Sequence, residues 1–149
     1  MPDEKPDRIP AIAAAMTPFP WVIDIGASLV QAREMMIEHQ FRHLPVVENA
    51  TLIGVVSDRD IHLVEGSVAD AADRAALTVR DALLAEAYVV SIHEPLDDVL
   101  LAMSRRHLGY ALVVKDGRLA GIFTATDACL HFATFLRRMF PRDDGDNAA

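Results

Sequence analysis

Residues 11–60 can be laid on residues 78–127 without a gap, and at that single offset the same kinds of residue recur. Val22 falls on Val89, Ile25 on Ile92, Leu29 on Leu96 and Met36 on Met103. Val46-Val47 falls on Val113-Val114, Leu52 on Leu119, Gly54 on Gly121 and Asp60 on Asp127. Conservative matches lie between them: Trp21 with Tyr88, Val55-Val56 with Ile122-Phe123, and Ser57 with Thr124. A unit this short buries its own apolar face poorly, so two copies are expected to pack on each other. The repeat therefore predicts a seam between two halves, and seams of this kind are where small ligands tend to sit.

The chain is long enough to bury a core, with 149 residues of which 52% are hydrophobic, most simply as one body of two fused repeats. A net charge of −8 argues against general affinity for nucleic acid or an anionic membrane, while leaving room for an anion in a locally basic pocket. The single cysteine, Cys129, cannot form an internal disulfide, and no Cys/His spacing suggests structural zinc. Met1–Asp7 lacks the apolar stretch of a signal peptide, and no run is long enough to span a bilayer. These features together predict a soluble protein of the reducing cytoplasm.

Residues 1–10 are charged and proline-rich and read as a flexible leader. The first repeat is expected over 11–66. Ala11–Met16 reads as a short helix stopped by Pro18 and Pro20, and Trp21–Ile25 as a strand. Ser28 suits an N-cap for a helix to about His39, with Leu29, Ala32, Met36 and Ile37 on one face. Leu44–Val47 and Leu52–Val56 read as buried strands around a Glu48-Asn49-Ala50 turn. A helix opening at Ser57–Asp60 is expected to end at Gly66. Residues 67–77 form an alanine-rich linker. The second repeat, 78–136, repeats the order, with a Lys115-Asp116-Gly117 turn and a last helix to about Met139. Residues 137–149 read as the helix end and a flexible tail. Each copy is thus helix–strand–helix–strand–strand–helix, an α/β unit.

The stretch that carries chemistry is Gly54-Val55-Val56-Ser57-Asp58-Arg59-Asp60, echoed by Gly121-Ile122-Phe123-Thr124-Ala125-Thr126-Asp127. A strand runs straight into a helix, with a hydroxyl at the junction and a carboxylate three residues on. A single occurrence reads equally well as an acidic capping box. Recurrence at one register favours a binding role: the carboxylate can accept from ribose hydroxyls, while the helix N-terminus and a nearby cation favour phosphate.

Taken with Arg42-His43-Leu44-Pro45-Val46-Val47 and the Leu52–Ser57 strand, this ordered set resembles the cystathionine-β-synthase (CBS) domain, here as the tandem pair called a Bateman module. The resemblance covers about residues 11–136. It implies an α/β fold of two tandem repeats packed with pseudo-two-fold symmetry, and two clefts, each built from both repeats. The implied ligands are AMP, ADP, ATP or S-adenosylmethionine. One cleft would combine Val55, Ser57, Arg59 and Asp60 with Tyr88, Leu108, Gly109 and Tyr110. The other would combine Ile122, Thr124 and Asp127 with Trp21, Phe41, Arg42 and His43. The resemblance also implies a homodimer through the outer helices, where Leu130, Phe132, Phe135 and Leu136 supply apolar surface.

The two clefts are expected to be unequal. Arg59 and either tyrosine favour the first; Arg42 and His43 favour the second, where Trp21 is large enough either to line or to fill the base pocket. Leu112 stands where the first copy has Pro45, and Gly109-Tyr110 where it has Arg42-His43. His39 and His43 are spaced as a metal pair on a helix, but Leu44-Pro45 implies that the helix ends first, and no metal is expected. Arg105-Arg106-His107 and Arg137-Arg138 suit helix C-termini better than a nucleic-acid patch. Cys129 has no evident base, and no catalytic constellation emerges. The leading expectation is a non-enzymatic sensor of an adenosine-containing molecule, signalling through a dimer or an effector protein. The alternatives are a CBS-fold dimer with degenerate clefts that docks a partner and, more weakly, an enzyme that uses the nucleotide.

Overall fold

The computed structural model describes residues 8–143. A single 3-10 turn, Ile12–Ala14, and strand β1 (Thr17–Pro18) lead into β2 (Ile23–Asp24), α1 (Leu29–His39), β3 (His43–Glu48), β4 (Thr51–Ser57) and α2 (Asp58–Gly66). The linker holds α3 (Ala71–Ala75), so it is partly helical. The second repeat follows as α4 (Val79–Ala82), β5 (Val89–Ser91), α5 (Leu96–Arg106), β6 (Tyr110–Lys115), β7 (Arg118–Thr124) and α6 (Ala125–Met139). The mixed α/β order expected from the repeat is present in both halves. The leader expected over 1–10 lies outside the described residues up to 7, whereas Pro10 already accepts a hydrogen bond from the Leu96 N–H. Of the tail expected over 137–149, residues 144–149 lie outside the described residues.

Local chemistry sets the elements at matching positions. The Ser28 side chain accepts from the Gln31 N–H at 3.0 Å and starts α1. Helices α1 and α5 both end on a left-handed residue, Gln40 at φ 57° and His107 at φ 52°. The two hairpins turn through paired positive-φ residues, Asn49 and Ala50 in the first and Asp116 and Gly117 in the second. Both also carry a bulge at the same place, Val46/Val47 and Val113/Val114. The three-stranded sheet runs β2-β3-β4 and the four-stranded sheet β1-β7-β6-β5; within each repeat the first pairing is parallel and the hairpin antiparallel.

One expectation fails in its detail. Ala11–Met16 is not a helix beyond the short turn, because its backbone is engaged by the other repeat. Ala11 bridges Pro95, and Thr17 and Pro18 pair with Ile122 and Gly121. The second repeat's leading segment does the reverse: Thr78 bridges Ser28 and Leu84 bridges Val55. The hydrogen bonds match as well. Ile12 N–H donates to Glu94 O at 2.7 Å, and Val79 N–H to Ala27 O at 2.8 Å.

The leading segments are therefore exchanged between cores. Val79 and Ala82 join Leu29, Ala32, Met36, Leu44, Val46 and Ile61 of the first repeat. Ile12 and Ala15 join Val90, Val99, Met103, Ala111, Val113 and Phe123 of the second. A third cluster, Val55, Tyr110, Leu112 and Ile122, forms the seam. The repeated glycines have their reason here. A Cβ on Gly54 would collide with the Leu84 carbonyl, and one on Gly121 would lie 2.9 Å from the Thr17 carbonyl, so each glycine admits the other repeat's backbone. Outside these clusters, Leu130, Phe132, Phe135 and Leu136 are exposed on α6. No helix of the described residues is long and apolar enough to cross a membrane.

Candidate functional site

Each strand-to-helix junction places a hydroxyl and a carboxylate in mutual contact. Ser57 Oγ donates to Asp60 Oδ2 at 2.7 Å and accepts from the Asp60 N–H at 3.1 Å. At the second junction Asp127 Oδ2 accepts from the Thr124 N–H at 2.9 Å and from Thr124 Oγ1 at 3.1 Å, and Thr124 Oγ1 accepts from the Asp127 N–H at 3.3 Å. Both motifs are thus genuine caps. Capping consumes Oδ2 only, and among the described residues Oδ1 of Asp127 has no donor, so one carboxylate oxygen remains for a ligand hydroxyl.

The two clefts differ in what surrounds these caps. A cavity of about 740 Å³ occupies the second cleft, within the usual range for small-molecule sites. All seven residues expected there line it: Trp21, Phe41, Arg42, His43, Ile122, Thr124 and Asp127. Trp21 forms a wall and does not fill the space, being 58% exposed. Its indole stacks on His39, ring centres 4.3 Å apart, and His39 in turn lies over Phe41. The first turn of α6 contributes Ala125 and Thr126 to the opposite side. Arg42 forms no ion pair among the described residues, which leaves its guanidinium available to an anion.

In the first cleft the expected aromatic residues pack into the seam. Tyr110 is buried in the seam with Val55, Leu112 and Ile122, and Tyr88 packs against them. The Tyr110 hydroxyl accepts from the Tyr88 N–H at 3.2 Å, while the Arg106 guanidinium covers the Tyr88 ring. Burial, reinforced by Glu94, pushes the Tyr88 phenol above its ordinary value, so it stays protonated. Ser57, Arg59, Asp60, Tyr88, Leu108 and Tyr110 line neither the large cavity nor a smaller one of about 320 Å³ beside Arg42 and Asp58. Gly109, expected in the first cleft, lines the second instead, because it sits against His43 across the seam.

His43 joins the two halves. Its ring lies 5.0 Å from that of Tyr110, its counterpart in the other copy. Burial lowers its pKa, the Asp60 charge pulls it upward and Arg42 pushes it down again, so the ring is neutral at pH 7. The sequence did not single out Thr17, Pro20, Gln40, Pro45, Ala125 or Thr126 as wall residues, and weighed His39 only as a metal ligand. No group of three or more His, Cys, Asp or Glu among the described residues is arranged to hold a metal.

Comparison with known proteins agrees with this architecture. Residues 12–64 and 78–133 each match the CBS domain family. A zinc metalloprotease of Methanocaldococcus jannaschii is 31% identical over 75% of the chain and 29% of its own length. The chain spans between 19% and 34% of the length of the curated relatives it matches. Among solved structures, a proposed acetoin utilization protein, AcuB, from Vibrio cholerae superposes with a TM-score of 0.80, 22% identity, and coverage of 91% of this chain and 99% of that one. A CBS domain pair in complex with 5′-methylthioadenosine and S-adenosyl-L-methionine superposes with a TM-score of 0.71 at 24% identity, covering 86% of this chain and 99% of that one.

Proposed function

The chain belongs to the CBS domain family, as a tandem pair, and from that premise we propose that it is a cytoplasmic ligand-sensing module binding one adenosine-containing molecule in its second cleft. Pairs of this family are generally regulatory modules rather than enzymes. The observation that carries the reading is the cavity itself. It joins an aromatic wall with a guanidinium and a carboxylate oxygen beside a helix N-terminus, neither of which has a partner among the described residues. These suit, in turn, a planar base, a phosphate or other anionic group, and ribose hydroxyls. Adenosyl compounds bound to a structurally similar pair support the class of ligand. Burial of Tyr110 in the seam of the first cleft supports one ligand per chain.

Binding is read as drawing the repeats together across the seam, since the cavity takes residues from both. The signal then passes through a homodimer formed by the outer helices or through an effector protein, and the exposed apolar side chains of α6 support such a contact.

Calorimetric titration with AMP, ATP, S-adenosylmethionine and 5′-methylthioadenosine tests the reading. At least one is expected to bind more tightly than about 1 mM with one site per chain, and Asp127→Ala to weaken it about tenfold, the loss of a charge-assisted hydrogen bond. Binding of none of the four, or full affinity in Asp127→Ala, overturns it.

A further inference from the structure

The repeat contains a matched pair that lies outside the hydroxyl–carboxylate motif. Trp21 and Tyr88 stand at equivalent positions, and each is covered by the last residue of the helix that follows it. In the second repeat the Arg106 guanidinium lies 4.8 Å from the centre of the Tyr88 ring. In the first, the His39 imidazole stacks on Trp21 at 4.3 Å with the planes 19° apart. The His39 ring also lies over Phe41, at 5.6 Å and 8°, and its Nε2 is 4.0 Å from Glu38 Oε2. The structural outcome differs between the two. Tyr88 packs against the seam cluster, whereas Trp21, His39 and Phe41 all face the open cavity.

Trp21 precedes β2, outside any helix or strand, and is more than half exposed. Its backbone therefore does little to hold the indole, which as a large amphipathic ring would otherwise sample several rotamers. The ring it stacks on is anchored to the end of α1. We propose that His39 is a positioning residue for the ligand: by stacking on Trp21 it holds the indole as a fixed wall on which a planar heterocycle packs. This rests on the reading of the cavity as an adenosyl site. It adds that recognition of the base depends on a residue of α1 that belongs neither to the hydroxyl–carboxylate motif nor to the Arg42-His43 segment.

Trp21 is the only tryptophan of the chain, so intrinsic emission reports this wall directly. Affinity is to be measured on the full chain for AMP, which carries base, ribose and phosphate, and for ribose 5-phosphate, which lacks only the base and is read by displacement of AMP. In His39→Ala the Kd for AMP is expected to rise about threefold to tenfold, the range of one aromatic stacking contact, with a shifted Trp21 emission. The affinity for ribose 5-phosphate is expected to move less than about twofold, and His39→Phe, which restores a planar ring, is expected to recover AMP binding. Should His39→Ala fail to fold, His39→Leu replaces it, keeping aliphatic packing with neither the planar ring nor a charge. Unchanged AMP affinity in the ring-less variant, or equal losses for both ligands, overturns the inference alone. A wild-type chain that binds no adenosyl compound overturns the reading of the cavity, and the inference with it.

Discussion

At His43 the physics of one side chain can be followed from burial to a measurable pH dependence. Its folded pKa lies below the ordinary 6.5, with desolvation the largest cause. Well above pH 6.5 the imidazole is neutral in both folded and unfolded chains and adds no pH dependence. As pH falls below 6.5, the unfolded chain takes up a proton that the folded chain refuses, so stability declines until pH passes the lowered folded value. Thermal melts between pH 8 and 5 are therefore expected to show a steeper acid loss in the wild type than in His43→Gln, whose side chain does not titrate. Parallel curves would refute the assignment. The sequence pointed to His43 for the second cleft because it belongs to a motif with fixed spacing, and the residue lines the cavity there. It could not show that the ring is neutral, since that depends on burial at a seam between distant segments outweighing the opposing charge of Asp60. His39 illustrates the opposite case. Its role follows from a stack with Trp21, and the only trace in the sequence is that Arg106 stands at the matching place.

The hairpins show how an element can be legible in type and still unequal in quality. Both turns demand two consecutive residues at positive φ. The second uses Asp116-Gly117, with Gly117 at 75°, a turn readable from the dipeptide alone. The first places Ala50 at φ 64°, where an L side chain costs roughly 1–2 kcal/mol. Replacing it by glycine removes that strain, at an entropic cost in the unfolded chain of roughly 0.4–1 kcal/mol. Ala50→Gly is therefore expected to stabilise by about 0.5–1 kcal/mol in denaturant unfolding. Gly117→Ala, entering the same conformation in the reverse direction, is expected to destabilise by a similar amount. A neutral Ala50→Gly would mean that the first turn relaxes without strain. The strands flanking these turns, and the four long helices, were legible because their periodicity and caps are local. The leading helix over Ala11–Met16 was misread because pairing with β7 and Pro95, not propensity, decides that backbone.

Exchange of the leading segments makes the two repeats interdependent, and it is the feature of the whole molecule least accessible to sequence. Ile12 aligns with Val79 and Ala15 with Ala82, so either segment would suit either core by hydrophobicity alone. What selects the crossed arrangement is long-range: the backbone bonds to Glu94 and Ala27, and the glycines that admit the incoming strands. The consequence is a displaced effect of mutation. Ile12 is fully buried among Val99, Met103, Val113 and Phe123 of the second repeat, although it belongs to the leading segment of the first. Ile12→Ala is expected to cost about 2–5 kcal/mol through the cavity it leaves. In native-state hydrogen exchange the lost protection should appear first at the β6 and β7 amides, Ala111–Val113 and Ile122–Phe123, while β3 and β4 keep more of theirs. Val79→Ala, truncating the matching position, should reverse the pattern and loosen Leu44–Val46 and Val55–Val56. If Ile12→Ala instead weakens the strands of its own repeat, the exchange does not govern stability. A uniform loss at every amide would also count against separable cores, because it would mean that the seam couples the two repeats more tightly than either leading segment does.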